Sequence, residues 1–219
     1  MADILVTHPQ LTFGGSEAMV LWTIQALRGD HEITLATTDR ASLAELNGFA
    51  GTDLSSRDLR TELAPEPFPL SAIDRFDAVR GRLFERRCRT LASDHDLTIS
   101  GYNPLRVPGP AIQMIADFSF AEAVRGELTA DRTGLERAWT DGSPLRAAYL
   151  AALDALLPLP EDDWTRDVVL ANSRWTQTIL EDRLGVDAEL LYPPVPPFQE
   201  PDDIEPRELA FVALGRVVR

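Results

Sequence analysis

The opening stretch of the chain, residues 3–28, constrains the fold most strongly. Residues 4–7 form an apolar run with β-branched members, and a polar turn leads from it to the glycine pair Gly14-Gly15. Apolar residues at three- and four-residue spacings follow, which predicts a helix with Ser16 as its N-cap. A short buried strand that feeds such a helix is typical of the first unit of a doubly wound α/β domain.

The glycine pair itself suggests a binding function. Without a Cβ atom, Gly14 and Gly15 can adopt positive φ and let a ligand approach free amides at the positively polarised end of a helix. The pair lacks the G-x-G-x-x-G spacing of dinucleotide-binding enzymes, and a tight strand-to-helix turn also needs glycine. The turn therefore predicts either a site for an anionic or polar ligand or a turn that binds nothing.

The rest of the chain continues the alternation of strands and helices. Extended, β-branched runs predict strands, and periodic apolar runs predict helices, with one further short strand in the loop of 50–72 and helical pieces in 118–142. The fold class expected is therefore α/β, a Rossmann-like doubly wound parallel sheet. The predicted strands are 32–38, 96–100, 111–116, 167–171 and 189–192, and the predicted helices are 41–48, 72–92, 143–157 and 174–184.

Charge and cysteine content narrow the class of function. The formal net charge is −14, which excludes general nucleic-acid binding, because that function needs cations to replace phosphate counterions. The single Cys88 allows no internal disulfide, and no apolar run approaches a membrane span or a secretory signal, so a cytoplasmic location is expected. All 21 basic residues are arginine, a composition that predicts stabilisation by salt.

The predicted helix 72–92 is basic in an otherwise acidic protein. A basic amphipathic helix can lie on an anionic membrane surface, which here would be the inner face of a membrane. Alternatively it is a solvated face whose arginines pair with nearby acids. The arginines concerned are Arg75, Arg80, Arg82, Arg86, Arg87 and Arg89.

Two polar residues follow the carboxyl ends of predicted strands. Asn103 lies after the strand at 96–100, and Asp117 ends the strand at 111–116. In an open parallel sheet the ligand crevice lies outside the carboxyl ends of the strands, so both residues are crevice candidates. Each could instead form only an Asx turn.

The last part of the chain changes character. Six prolines between 193 and 206, together with several acids, predict a stiff linker, and 208–214 predicts a new strand. A lone strand cannot form a domain. The sequence therefore predicts a domain over 1–195, a linker over 196–207, and the first strand of a missing carboxyl-terminal domain over 208–219.

Three segments in this order resemble a known family. They are residues 12–17, residues 169–176, and the run 191–195 that leads to 211–216. Together they resemble the amino-terminal half of family 4 glycosyltransferases of the GT-B fold, in which two Rossmann-like domains face each other across a cleft. The Tyr192-Pro193-Pro194 run is also similar to that of lipid-linked-oligosaccharide mannosyltransferases, a looser likeness.

The resemblance implies transfer of a hexose, of mannose or glucose type, from a nucleotide-sugar donor to a glycan or lipid-linked acceptor, with retention of anomeric configuration. It implies that Gly14 and Gly15 face the diphosphate and sugar of the donor. It implies that Arg216 helps neutralise the leaving diphosphate, so that neither a metal nor another cofactor is needed. The amino-terminal domain of such enzymes mainly binds acceptor.

The chain also departs from the family pattern. Many relatives carry a histidine where this chain has Ala116-Asp117, so the catalytic candidates are Asp117, as a substitute, and His8 in the first loop. For Ser173, helix capping is the alternative to a role in the cleft. The candidate acceptor or cleft residues are Glu17, Asn103, Asn172, Ser173 and Arg174.

The resemblance covers only the acceptor half of such an enzyme. The chain is therefore expected to be inactive until a carboxyl-terminal domain is supplied in cis or in trans. Two alternatives stay open, a non-catalytic module that binds a glycan or a protein and a sugar-nucleotide epimerase, which shares the two-domain architecture.

Overall fold

The computed structural model describes residues 1–38, 40–64, 77–122, 124, 127, 143–158, 160 and 162–195. Seven strands form one sheet in this part of the chain, and every neighbouring pair runs parallel. The sheet order is β3-β2-β1-β4-β5-β6-β7. The strands are β1 (Asp3–Thr7), β2 (Glu32–Thr37), β3 (Arg60–Leu63), β4 (Leu97–Ser100), β5 (Ala111–Ile115), β6 (Val168–Ala171) and β7 (Glu189–Leu190).

Helices cover both faces of this sheet. They are α1 (Gly15–Leu27), α2 (Leu43–Ala50), α3 (Asp77–Ala92), α4 (Pro144–Leu156) and α5 (Arg174–Ile179). Successive side chains of a strand point to opposite faces. Ile4 and Val6 of β1 accordingly pack with α1 and α2, whereas Leu5 packs with Phe84 and Cys88 of α3. The predicted Rossmann-like, doubly wound parallel sheet is confirmed.

The sheet order places the topological switch between β1 and β4. The chain builds outward from β1 to β3 and then returns to add β4 on the other side of β1. Gly101, directly after β4, closes this junction because its amide donates to the Thr7 carbonyl over 2.8 Å. A Cβ atom at Gly101 would overlap Val20 of α1, so β1, β4 and α1 meet here without space for a side chain.

The last helix differs from the prediction. The run 174–184 is not one α-helix, because α5 ends at Ile179 and Leu180–Leu184 forms a π-helical turn that ends at Gly185 with φ of +65°. Trp175, an apolar residue in the first turn of α5, has 57% of its surface exposed. The Ser173 cap starts the helix so that Thr176 and Leu180, four residues apart, face the core instead.

Several predicted elements have shorter bounds or fall outside the described residues. The strand expected in 50–72 is β3, and β7 ends at Leu190, before the prolines. The first residues of the helix at 72–92, most of 118–142, the linker 196–207 and the strand 208–214 lie outside the described residues. None of the helices in the described ranges has the length and apolar composition needed to cross a membrane.

Candidate functional site

A cavity of about 1140 Å³ opens at the carboxyl ends of β1, β4 and β5 and extends between α1, α3 and α4. It therefore includes the switch between β1 and β4, where ligands bind in open α/β sheets. Seven of the ten candidate residues line it: His8, Gly14, Gly15, Glu17, Asn103, Asp117 and Asn172. Ser173 and Arg174 do not line it, and Arg216 lies outside the described residues.

The start of α1 forms one wall of the cavity, although not in the way the sequence predicts. The N-cap is Gly14 and not Ser16, whose hydroxyl is inside the helix and donates to the Glu17 carboxylate over 2.9 Å. Neither Gly14 nor Gly15 has positive φ, so left-handed backbone is not the reason for the pair. A Cβ at Gly14 would lie 2.5 Å from Glu17 Oε2, so the Glu17 carboxylate would have to shift, whereas Gly15 borders open space and no contact with the described residues requires glycine there.

Glu17 already places a negative charge at this helix end. Its Oε1 accepts hydrogen bonds from the Thr12 hydroxyl over 2.6 Å and from the Thr12 amide over 3.3 Å. Burial favours the neutral acid, but hydrogen bonds from Thr12, from its own amide and from Ser16 outweigh it and hold the pKa of Glu17 below its ordinary value. The helix end is therefore not bare, because an ionised carboxylate shares it with the space beside Gly15.

His8 follows β1 and is the least satisfied polar side chain of the cavity wall. Only 2% of the residue is exposed, and neither Nδ1 nor Nε2 has a hydrogen-bond partner among the described residues. Its ring packs edge-on against Tyr102, with centroids 5.5 Å apart. Burial lowers the pKa of His8 more than the Glu17 charge and the Gln10 backbone raise it, so the imidazole is neutral at neutral pH.

Asp117 lies at the end of β5 in a dense hydrogen-bond cluster. Its carboxylate accepts from the Tyr102 hydroxyl over 2.8 Å, from Asn103 Nδ2 over 2.7 Å and from the Ser119 amide over 2.8 Å. Burial favours the neutral acid, but these hydrogen bonds outweigh it and hold the pKa of Asp117 below its ordinary value. Burial and the Asp117 charge raise the pKa of Tyr102 to about 12.

This cluster makes Asp117 an ionised acceptor whose oxygens are already occupied. Such a carboxylate is a poor proton acceptor and a good anchor for its donors. It fixes the Tyr102 ring that packs against His8, and it fixes the Asn103 amide at the mouth of the switch point. The two residues predicted separately as crevice candidates, Asn103 and Asp117, are thus direct partners.

The start of α5 closes the β6 side of the cavity. Asn172 Nδ2 donates to the Ala116 carbonyl over 3.0 Å, and its Oδ1 accepts from the Thr176 hydroxyl over 2.6 Å. Ser173 caps α5 by accepting from the Thr176 amide over 3.1 Å, which is the role that capping predicted for it. Arg174 is exposed on the outer surface.

Sequence analysis missed the opposite end of the cavity, between α3 and α4, which we call the α3–α4 end. Arg146 of α4 lies buried there and pairs with Asp77 and Glu122, each over 2.8 Å. Burial lowers the pKa of Arg146, but these two carboxylates outweigh it and raise the pKa above its ordinary value. The partners are 24 and 69 residues from Arg146 in sequence, so no local pattern signals them.

The remaining charged groups of the α3–α4 end are paired as well. Arg82 of α3 pairs with Asp154 of α4. Glu85 of α3 accepts from the Arg106 amide over 2.7 Å and lies 3.6 Å from the Arg106 guanidinium. Burial raises the pKa of Glu85 more than Arg106 lowers it.

These pairs also bear on the basic helix predicted at 72–92. Besides Arg82, Arg87 pairs with Glu62 and Arg89 pairs with Asp162. The acids come from other elements of the fold rather than from the helix itself. The ion pairs of Arg82, Arg87 and Arg89 therefore attach α3 to neighbouring parts of the fold.

No family model matches the chain, and no curated protein matches it. Among solved structures it is similar to Anabaena Alr3699/HepE in complex with UDP and glucose, at a TM-score of 0.45, and to the same protein in complex with UDP-glucose, at 0.47. Each is 12% identical over 88% of this chain. The chain spans 45% and 44% of those two chains, less than half of their length.

Proposed function

We propose that this chain is the acceptor-side half of a nucleotide-sugar-dependent glycosyltransferase that moves a hexose to a glycan or lipid-linked acceptor with retention of configuration. One observation carries the proposal: the imidazole of His8, buried and without a hydrogen-bond partner among the residues that the structure describes, lines the same cavity as the open space at Gly15, at the switch point. Buried polar groups are normally paired, so His8 calls for a ligand that supplies a partner.

In this proposal the start of α1 receives the diphosphate and sugar of the donor. The amide end of the helix favours a phosphate oxygen beside Gly15, where no Cβ obstructs its approach. The Glu17 carboxylate next to it accepts a sugar hydroxyl, for which an ionised oxygen is a strong acceptor. The start of α1 would therefore bind an anionic phosphate beside Gly15 and a hydroxyl of the neutral sugar at Glu17.

The same proposal gives His8 a role in contact with the sugar. Both ring nitrogens are buried in this structure, so the contact requires neighbouring side chains to move; a neutral imidazole then offers one donor and one acceptor nitrogen to hydroxyls of the transferred hexose. Asp117 acts through Tyr102 and Asn103 as a positioning residue, because its own oxygens are occupied. Asn172 holds the β5 and β6 ends together beside them.

Further parts of the proposal concern residues outside the described ranges. Residues 196–207 would link this domain to a second one that begins at 208, and Arg216 would help neutralise the leaving diphosphate. The resemblance in sequence supports these assignments. The single Cys88 supports action in the cytoplasm, and the basic helix at 72–92 supports an acceptor supplied at the inner face of a membrane.

A turnover assay on the protein encoded by the complete open reading frame tests the proposal. Release of nucleoside diphosphate is measured with UDP-glucose, GDP-mannose and ADP-glucose, in the wild type and in Gly15→Leu. Gly48→Leu is the matched control, because Gly48 is also helical and also borders open space, but lies on α2 outside the cavity.

We expect at least one sugar nucleotide to be consumed, and Gly15→Leu to reduce its turnover at least about tenfold while Gly48→Leu does not. Both variants should melt within a few degrees of each other, since a Cβ at either site meets no atom of the described residues within 4 Å. Failure to consume any sugar nucleotide, or equal effects of the two substitutions, would refute the proposal.

One observation favours a second candidate, a non-catalytic glycan-binding module. The described residues of this domain form a cavity of about 1140 Å³, large enough for a ligand to bind without a second domain. This candidate predicts saturable glycan binding that a carboxyl-terminal domain leaves unchanged.

A further inference from the structure

At the α3–α4 end of the cavity, the positive and negative side chains differ in how accessible they are to a ligand. Four arginines face four carboxylates there, so the described lining is balanced in charge: Arg80, Arg82, Arg106 and Arg146 against Asp77, Glu85, Glu122 and Asp154. The two kinds of charge are not equally accessible. In the pairs of Arg146 and Arg82 the arginine lies beneath and the carboxylates lie outward, whereas in the pair of Arg106 and Glu85 the carboxylate is the buried member.

Exposed fractions show this layering. The side chains of Arg146 and Arg82 are only 4% and 11% exposed. Their partners Asp77, Glu122 and Asp154 are 35%, 39% and 59% exposed. A ligand that enters this end therefore meets carboxylate oxygens first, while the guanidinium groups neutralise them from below.

The exposed carboxylates determine which class of ligand this end can bind. An ionised carboxylate accepts hydrogen bonds and has none to donate, so it suits a ligand rich in hydroxyl donors. It repels a phosphate or diphosphate, and the two arginines beneath these carboxylates, Arg82 and Arg146, are already engaged with them. The part of the α3–α4 end around Asp77, Glu122 and Asp154 is thus suited to a neutral polyol and unsuited to an anion.

Two aromatic rings complete this end. Phe120 and Trp164 both line the cavity and pack edge-on, with centroids 5.6 Å apart. Glu122 and Arg146 line the same cavity as these two rings. A wall of aromatic side chains with a few placed polar groups is typical of small-molecule sites, and a pyranose has both apolar C–H faces and hydroxyl edges.

We propose that the α3–α4 end is an acceptor subsite for an uncharged carbohydrate, bound through its hydroxyls to Asp77, Glu122 and Asp154 and through its apolar face to Phe120 and Trp164. This inference rests on the proposed function and selects between its two acceptor classes. The acceptor sugar itself contacts these side chains, and a diphosphate on a lipid carrier is not bound at this end.

Titration of the 219-residue chain with two kinds of probe tests the proposal. The neutral probes are mannobiose, maltose and cellobiose, and the anionic probe is farnesyl diphosphate, each followed by calorimetry. Gly81→Leu is the blocking variant, because Gly81 lies on α3, lines the cavity and borders open space. Gly48→Leu is the control at a helical glycine outside the cavity.

We expect saturable binding of at least one disaccharide, weakened at least about tenfold by Gly81→Leu and unchanged by Gly48→Leu. Asp154→Asn, at the most exposed carboxylate of the end, should weaken the disaccharide about tenfold, the loss of one hydrogen bond to a charged group. The same variant should improve binding of farnesyl diphosphate.

Two results would overturn the inference: no disaccharide binds, or farnesyl diphosphate binds in a manner that Gly81→Leu abolishes. Failure of the proposed function looks different. It would leave disaccharide binding and its dependence on Gly81 intact while no sugar nucleotide is consumed, and Gly15→Leu would have no effect on any measured property.

Discussion

At the scale of single residues, His8 departs furthest from what an apolar core tolerates. An unpaired polar group in a buried position costs about 1–3 kcal/mol of folding free energy. The lone histidine in a loop gave only a weak signal in the sequence, because burial and missing partners are properties of the fold. The motif at 12–17 predicted Glu17 as a cleft residue. It did not predict the hydrogen bonds that the Glu17 carboxylate accepts from Thr12 and Ser16.

Stability should depend on pH through His8. Because burial lowers its pKa in the folded chain, protons bind the unfolded state more readily, so folding stability is full above about pH 6.5 and falls as pH drops below that value. Glu17 and Asp117, whose pKa values are held low, lose their contributions only below about pH 4.

Urea unfolding between about pH 4.5 and 7 measures this effect. His8→Phe, which keeps a ring against Tyr102, should flatten the loss of stability in that window. An unchanged pH profile in His8→Phe would exclude a buried neutral imidazole.

Glu17 should act as a competitor for anions at the start of α1. Glu17→Gln removes the charge, so inorganic pyrophosphate should bind the chain about threefold to tenfold more tightly in calorimetry. Glu45→Gln is the matched control, since Glu45 occupies the first turn of α2. Equal gains in the two variants would mean that net charge, and not this helix end, governs the affinity.

At the scale of elements, the strands were predictable because runs of β-branched and apolar residues indicate a strand without reference to distant contacts. The β-branched runs of β1, β2 and β6 are buried on one or both faces, and the predicted bounds differ from the observed ones by only a residue or so. The start of α1, the π-helical turn after α5 and the pairs between α3 and α4 were not predictable. Each depends on contacts between residues that local periodicity does not relate.

The junction of β1, β4 and α1 depends on Gly101. Gly101→Ala should destabilise the protein by about 1–3 kcal/mol in urea unfolding, because its Cβ overlaps Val20 and lies 3.1 Å from the Thr7 carbonyl oxygen. Gly48→Ala should instead stabilise by about 0.5–1 kcal/mol, since alanine in an open helical position favours the helix. A neutral Gly101→Ala would mean that this junction is loosely packed.

At the scale of the whole molecule, charge is the dominant property. A net charge of −14 opposes compaction by self-repulsion, and salt screens that repulsion. The melting temperature should therefore rise as NaCl increases from about 0.1 M to 1 M, over which the Debye length falls from about 10 Å to 3 Å. A flat or falling melting temperature would indicate that the salt bridges between elements, which salt weakens, outweigh the repulsion.

The account as a whole depends on a ligand that meets His8 and Gly15 together. The direct measurement is an amide and imidazole nitrogen NMR spectrum of the 219-residue chain during titration with UDP-glucose and with GDP-mannose. We predict that at least one of them shifts the Gly15 amide and the His8 ring nitrogens while the Gly48 amide stays in place. Shifts that avoid Gly15 and His8, or no shift with either ligand, would contradict the assignment of this cavity wall to a nucleotide sugar.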